Sequence, residues 1–296
     1  MPWLWAVFTV AAASGQVLRN AMQKELTAVL GTVGATHVRF LFGLPFAVMF
    51  LVAILAVTQL PVPALNATMI AWTAGAALAQ IAATALLLAA MQARSFVVIT
   101  AYSKTEPVQV AIFGLAFLGD KVTPGQGLAI LIATAGVLIV SWPRSTADEA
   151  FSWKPAALGI GSGALFAIAA IGYRGGILAL AAPNFVVGAT TTLVLGLLIQ
   201  TVILTAYLAL ADRKVLMAIF RAWRPSLFAG FMGAFASQMW FLAFALETAA
   251  KVRTLALVEI LFAQILSRNL FKQSVASREM AGIGLIVAGV VLLLNL

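Results

Sequence analysis

The chain has 296 residues, of which 63% are hydrophobic and only 9% are charged, and its mean hydropathy is +1.08. A soluble domain carries about 25% charged and about 45–50% apolar residues, so the composition excludes a soluble globular protein and reads as an integral membrane one. The net charge of +9 does not point to nucleic acid, because the basic residues cap apolar runs as the positive-inside rule produces; with no cysteine and one histidine, His37, disulfides, thiol catalysis and Cys- or His-cluster metal sites are also excluded.

A membrane-spanning helix needs about 20 mostly apolar residues. Ten such runs are predicted, at 3–20, 36–57, 68–91, 95–118, 123–142, 155–176, 184–209, 225–246, 251–271 and 278–295. Within the first, the apolar residues 3–13 run into Ala11-Ala12-Ala13-Ser14-Gly15, rather like a signal-peptidase site, but no positive n-region precedes it. It reads as a retained transmembrane helix. The longest connections, 143–154 and 210–224, are too short for a soluble domain.

Polar residues inside the spans are the candidate functional groups. Gln16, Arg19 and Asn20 share one helical face, as do Gln80 and Thr84. The fourth span holds Tyr102-Ser103-Lys104-Thr105-Glu106-Pro107, where each charge costs about 2.5–3.5 kcal/mol at bilayer depth and must face protein or a wet cavity. Tyr102, Glu106 and Gln109 are predicted to form one stripe, with Lys104 roughly 160° round the helix from Tyr102. Lys104 and Glu106 are therefore not partners along their own helix, and Glu259, Glu247, Arg19 or the end of a broken helix are the partners to look for. Pro107 is the candidate hinge: it removes a backbone hydrogen bond and frees carbonyls near Ser103, which are tolerated at depth only against protein or water; the alternative is a simple kink stabilised by Ser103 or Thr105 bonding back to the helix. Trp5, Tyr173, Gln238, Trp240 and Gln264 complete the lining, while Trp3, Trp72, Trp142 and Trp153 sit near span ends as interfacial anchors. Gly172-x-x-Gly175, Gly230-x-x-Gly233 and Gly282-x-Gly284 are small-residue patterns for close helix packing.

Segment 86–140 resembles 239–293 at an offset of 153 over its later part, which puts Glu106 on Glu259 and Gly136 on Gly289. Two halves, 1–142 and 154–296 with a linker at 143–153, then hold five helices each. Tandem halves of odd helix number lie in opposite orientations, so the expected fold is an all-α membrane protein of ten transmembrane helices in two inverted five-helix repeats, an architecture common among secondary transporters.

His37-Val38-Arg39-Phe40-Leu41-Phe42 opening the second span, Glu106-Pro107 in the fourth, Leu118-Gly119-Asp120-Lys121-Val122-Thr123-Pro124 after it, and glycine-rich fifth and tenth spans (Gly125, Gly127, Gly136; Gly282, Gly284, Gly289) are together similar to the drug/metabolite transporter superfamily, in its ten-helix EamA-like branch. Glu259 is followed by Ile260 rather than proline, and Gln273-Ser274-Val275-Ala276 is degenerate against the first-half turn. The resemblance covers nearly the whole chain. It implies an exporter or exchanger of small metabolites in a bacterial inner (plasma) membrane, with the YddG-like exporters of aromatic and other amino acids as neighbours. No cofactor, metal or nucleic-acid partner is expected; the expected partners are a small-molecule substrate and the bilayer, the energy source is the substrate gradient or protons carried by Glu106 or Glu259, and the monomer is the expected working unit. Alternating access would move the halves around a midplane site, where Lys104 or a half-helix N-terminus receives a carboxylate and Tyr173 or Trp240 contacts an apolar side chain. The pathway set is Gln16, Gln80, Tyr102, Lys104, Glu106, Gln109, Tyr173, Gln238, Trp240 and Glu259.

Thirteen basic residues lie in or beside connections after odd-numbered spans and four after even-numbered ones, Lys104 completing the 18. That count favours termini outside the cytoplasm, whereas many members of the resembled family have both inside, and the side stays open. Gly114–Lys121 imitates a phosphate-binding loop, but Asp120 precedes the lysine and no strand precedes the glycine. No paired catalytic carboxylates or Cys-x-x-Cys motif are present, so the alternative, a membrane-embedded enzyme acting on a lipid-linked or amphipathic substrate, would have only Lys104, Glu106 and Glu259 to work with.

Overall fold

A computed structural model describes residues 3–93, 102–140, 153–260, 262 and 277–296. Gln264, Trp142 and most of the 143–153 linker lie outside the described residues. Among the described residues the regular structure is entirely helical: α1 (Leu4–Leu41), α2 (Gly43–Thr58), α3 (Ala67–Ala93), α4 (Glu106–Leu118), α5 (Pro124–Val140), α6 (Trp153–Leu180), α7 (Phe185–Ala211), α8 (Arg213–Arg221), α9 (Trp223–Leu246), α10 (Ala249–Leu255), a 3-10 turn (Ala256–Val258) and α11 (Ser277–Leu294). Five stretches are long and apolar enough to cross a membrane: Glu25–Thr58, Ala67–Ala90, Ala156–Leu180, Phe185–Ala211 and Trp223–Leu246. The protein is a multi-pass membrane protein.

Two departures from the sequence expectation matter. The first span was expected to end at 20, yet α1 continues to Leu41 and is interrupted at Gly31, which has φ 68° and ψ 178°. Hydropathy measures hydrocarbon thickness, whereas the polar stretch Gln23-Lys24-Glu25-Leu26 consists of good helix formers and carries the helix onward. Only glycine takes the Gly31 conformation without strain, and this residue alone separates the two helical runs. The connection at 210–224 is likewise not a loop: Asp212 caps α8 by accepting from the Val215 N–H at 3.2 Å.

The helices form two compact units. The first comprises Met1–Ile81 and Gly172–Glu247, the second Ala82–Ile171 and Thr248–Leu296. Each therefore draws on both sequence halves. Lipid is as apolar as leucine, so helix association in a bilayer relies on close contact and interhelical hydrogen bonds, and the glycines show this. In the first unit a methyl group on Gly172 would lie 2.8 Å from the Ala76 side chain, one on Gly175 2.7 Å from the Trp72 ring, and one on Gly230 2.6 Å from the Phe42 backbone. In the second, α5 and α11 pack reciprocally. A methyl on Gly136 would lie 2.6 Å from the Gly282 carbonyl and one on Gly289 2.7 Å from the Ala133 nitrogen.

The turn between α4 and α5 is built locally. Gly119 ends α4 in the left-handed conformation (φ 67°), and the Asp120 N–H bonds the Gly114 carbonyl. Thr123 and Gln126 then form a reciprocal capping box around Pro124, with bonds of 3.1 and 3.2 Å.

Candidate functional site

In the second unit, charge gathers where helices break. Residues 102–103 are helical, 104–105 form a turn, and α4 begins at Glu106 with Pro107 in its first turn, where a missing N–H costs nothing. Pro107 thus marks a helix start, which corrects the expected continuous stripe of Tyr102, Glu106 and Gln109. Gln109 instead donates to the Thr105 hydroxyl at 3.1 Å, and that hydroxyl donates to the Tyr102 carbonyl at 2.8 Å. The Ser103 carbonyl, the acceptor a non-proline residue at 107 would use, lies against Gly163, where a Cβ would sit 2.9 Å from it. Ser162 next door donates to the Ala83 carbonyl at 2.8 Å.

The charges pair across the sequence halves. The Lys104 ammonium pairs with the Glu259 carboxylate, one of the partners expected. Glu106 meets Arg253 at 3.1 Å between Oε1 and Nε, a partner outside those expected from the sequence. All four side chains are largely buried. Helix ends favour the second pair: Glu106 is in the first turn of α4 and Arg253 in the last turn of α10, each complementing the local helix dipole. Glu259 itself follows the 3-10 turn Ala256–Val258, so both Glu106 and Glu259 follow a departure from α-helix, although only Glu106 is followed by proline.

The first unit holds an uncharged polar ladder. Tyr173 donates to the Gln80 side-chain oxygen at 3.1 Å and Gln200 donates to the same atom at 2.7 Å. The Tyr173 ring lies 4.6 Å from that of Phe241. Trp240 donates to Gln16 at 3.2 Å, and Gln238 donates to Thr190 at 2.8 Å while its own buried oxygen has no partner. Gln200 and Thr190 were not among the sequence candidates. Gln200 is the lone amide in the 27 residues of α7 and was findable by the same rule that picked Gln80. Tyr173, Gln238 and Trp240 are all buried, as is Trp5.

Other polar groups have structural tasks. Arg174 donates to the Phe244 and Glu247 carbonyls at 2.6 and 2.7 Å, capping the C-terminus of α9. His37 shares a 3.0 Å hydrogen bond with Thr205. Arg19 binds its neighbour Asn20 at 2.8 Å. Among the described residues no group of His, Asp or Glu is arranged to hold a metal ion.

Residues 3–142 match the model of the EamA-like transporter family. No curated protein matches the sequence. One protein of known crystal structure shares the fold with a TM-score of 0.71, covering 98% of this chain and 95% of that chain at 12% identity.

Proposed function

Through residues 3–142 this chain belongs to the EamA-like transporter family, and from that premise we propose a secondary transporter that moves small metabolites, amino acids among them, across the membrane by alternating access. Export or exchange across a bacterial inner membrane, by a monomer, is the working mode. The ten-helix, inverted-repeat organisation is part of the same reading. It is supported by the reciprocal packing of Gly136 and Gly289 and by the matched interruptions before Glu106 and Glu259.

The observation that carries the proposal is the pair of crossed ion pairs, Lys104–Glu259 and Glu106–Arg253. An intramembrane charge is a functional group by default, and two cation–anion pairs offer a zwitterion both of its complements. Lys104 or Arg253 would take a carboxylate, Glu106 or Glu259 an ammonium group or a coupling proton. The uncharged ladder of Gln16, Gln80, Tyr173, Gln238 and Trp240 is a second polar candidate within the first unit, and Tyr102 and Gln109 flank the charged segment at the Pro107 hinge.

The test is efflux from vesicles reconstituted with purified protein and loaded with labelled amino acids and other small metabolites. Saturable movement of at least one compound, lost in Lys104→Ala and Glu106→Gln while the protein stays folded, is the expected result. No movement across the panel, or full activity in both variants, overturns it. If Glu259 carries the coupling proton, Glu259→Gln keeps substrate movement but uncouples it from an imposed pH gradient.

A further inference from the structure

Helix α8 joins two membrane-length helices with one residue between it and each: α7 ends at Ala211 and α9 begins at Trp223. That connectivity fixes it where two spans reach one membrane surface. Its inner side is Ile219, fully buried with Leu26, Leu30, Ala35 and Val38, and flanked by Val215 and Leu216. Its outer side is of two kinds. Met217, Phe220 and Trp223 are each half exposed or more, while Arg213, Lys214, Arg221 and Arg224 are exposed beside them. The one acidic residue in this stretch, Asp212, serves as the N-cap of α8.

Water disfavours the first set and hydrocarbon the second. The headgroup layer suits both, since an interfacial helix buries apolar side chains at the acyl boundary and holds its cations among the headgroups. Four cations against one occupied carboxylate give the complement of an anionic layer. We propose that α8, with Trp223 and Arg224, is a docking surface for anionic phospholipid. The opposite side of the helix reaches the α1 break: a methyl group on Gly34 would lie 2.9 Å from Val215 Cγ1, and Leu30 and Ala35 flank Gly31 within the Ile219 cluster. Lipid held on one side of α8 therefore bears on the Gly31 break through the other.

The chain has no cysteine, so Phe220→Cys gives a single thiol for an environment-sensitive fluorophore. The probe is a phosphatidylcholine vesicle doped with phosphatidylglycerol, with bromine on the acyl chains of one lipid or the other. Brominated phosphatidylglycerol should quench the label well beyond its share of the mixture. Replacing Arg213, Lys214, Arg221 and Arg224 together by glutamine should reduce that preference by about tenfold or more. A label at Val57, exposed on α2, reports folding and should show no preference in either protein. If the fourfold variant does not fold, Lys214→Gln and Arg221→Gln singly should each lower the preference. Quenching in proportion to composition, a preference that survives every glutamine variant, or protection of the label by a second copy overturns the proposal.

Discussion

Glu106 and Glu259 stand 153 residues apart, and each is the first residue after an interruption in its helix, the turn at 104–105 in one case and the 3-10 turn 256–258 in the other. Each then pairs with a cation from the opposite sequence half. Removing one partner of a buried pair leaves the other charge uncompensated, at about 3–5 kcal/mol, whereas removing both is often neutral. Lys104→Met should therefore lower the thermal unfolding temperature in detergent markedly, and Lys104→Met/Glu259→Leu should recover most of it. An additive double mutant would show that the pair does not couple.

Gly31 is held at φ 68° with nothing within 4 Å of where its Cβ would be. Any cost of substitution is thus backbone strain and not a clash. Gly31→Ala should destabilise by about 1–3 kcal/mol or straighten α1. Chemical denaturation measures the first, and a distance between spin labels at exposed Leu18 and Val48 reports the second.

Gly163 makes the opposite case. Its conformation is ordinary, but a methyl group there would press on the Ser103 carbonyl at 2.9 Å. Gly163→Ala should cost about 1–3 kcal/mol as an overpacked contact. It should also alter transport, because the displaced segment carries Lys104. Gly161→Ala, whose nearest neighbour would be 3.9 Å away, is the control expected to be near-silent in both assays.

Tyr173→Phe removes one of the two donors to the Gln80 oxygen and leaves Gln200 bonded to it. Interhelical hydrogen bonds of this kind average about 0.6 kcal/mol, reaching about 1.7. A small fall in unfolding temperature is expected with a larger rise in KM for transported substrate. Unchanged KM would make the hydroxyl a structural group.

Much of this was written in the residue order. The predicted spans fall mostly on helix among the described residues, five stretches being long and apolar enough to cross a membrane; Gly172, Gly175, Gly230 and Gly282 pack closely as small residues should, Gly284 does not, and Glu259 is among the partners expected for Lys104. What escaped was whatever depends on something other than span hydropathy. Gly31 was hidden because a single backbone angle leaves no mark on hydropathy. Helix α8 was hidden because Arg213, Lys214 and Arg221 dilute its apolar residues below the threshold for a span. Arg253 was overlooked because a residue near the end of an apolar run reads as a cap until its partner is known. The turn before Glu259 has no proline to announce it, only Ile260 after it.

The interleaving of the two compact units sets an order on biosynthesis. The first unit lacks a substantial part of its packing until residues 172–247 have been made, and the second waits for 277–294, where Gly289 closes on Ala133. Contacts of such long sequence separation form late and slowly. A nascent chain halted after residue 142 would expose helix faces, Gly136 among them, whose partners have not yet been synthesised. Partially made protein is then a natural client for membrane chaperones and quality-control proteases, and co-expressed fragments split within 141–152 should restore each other only when both are present from the start of folding.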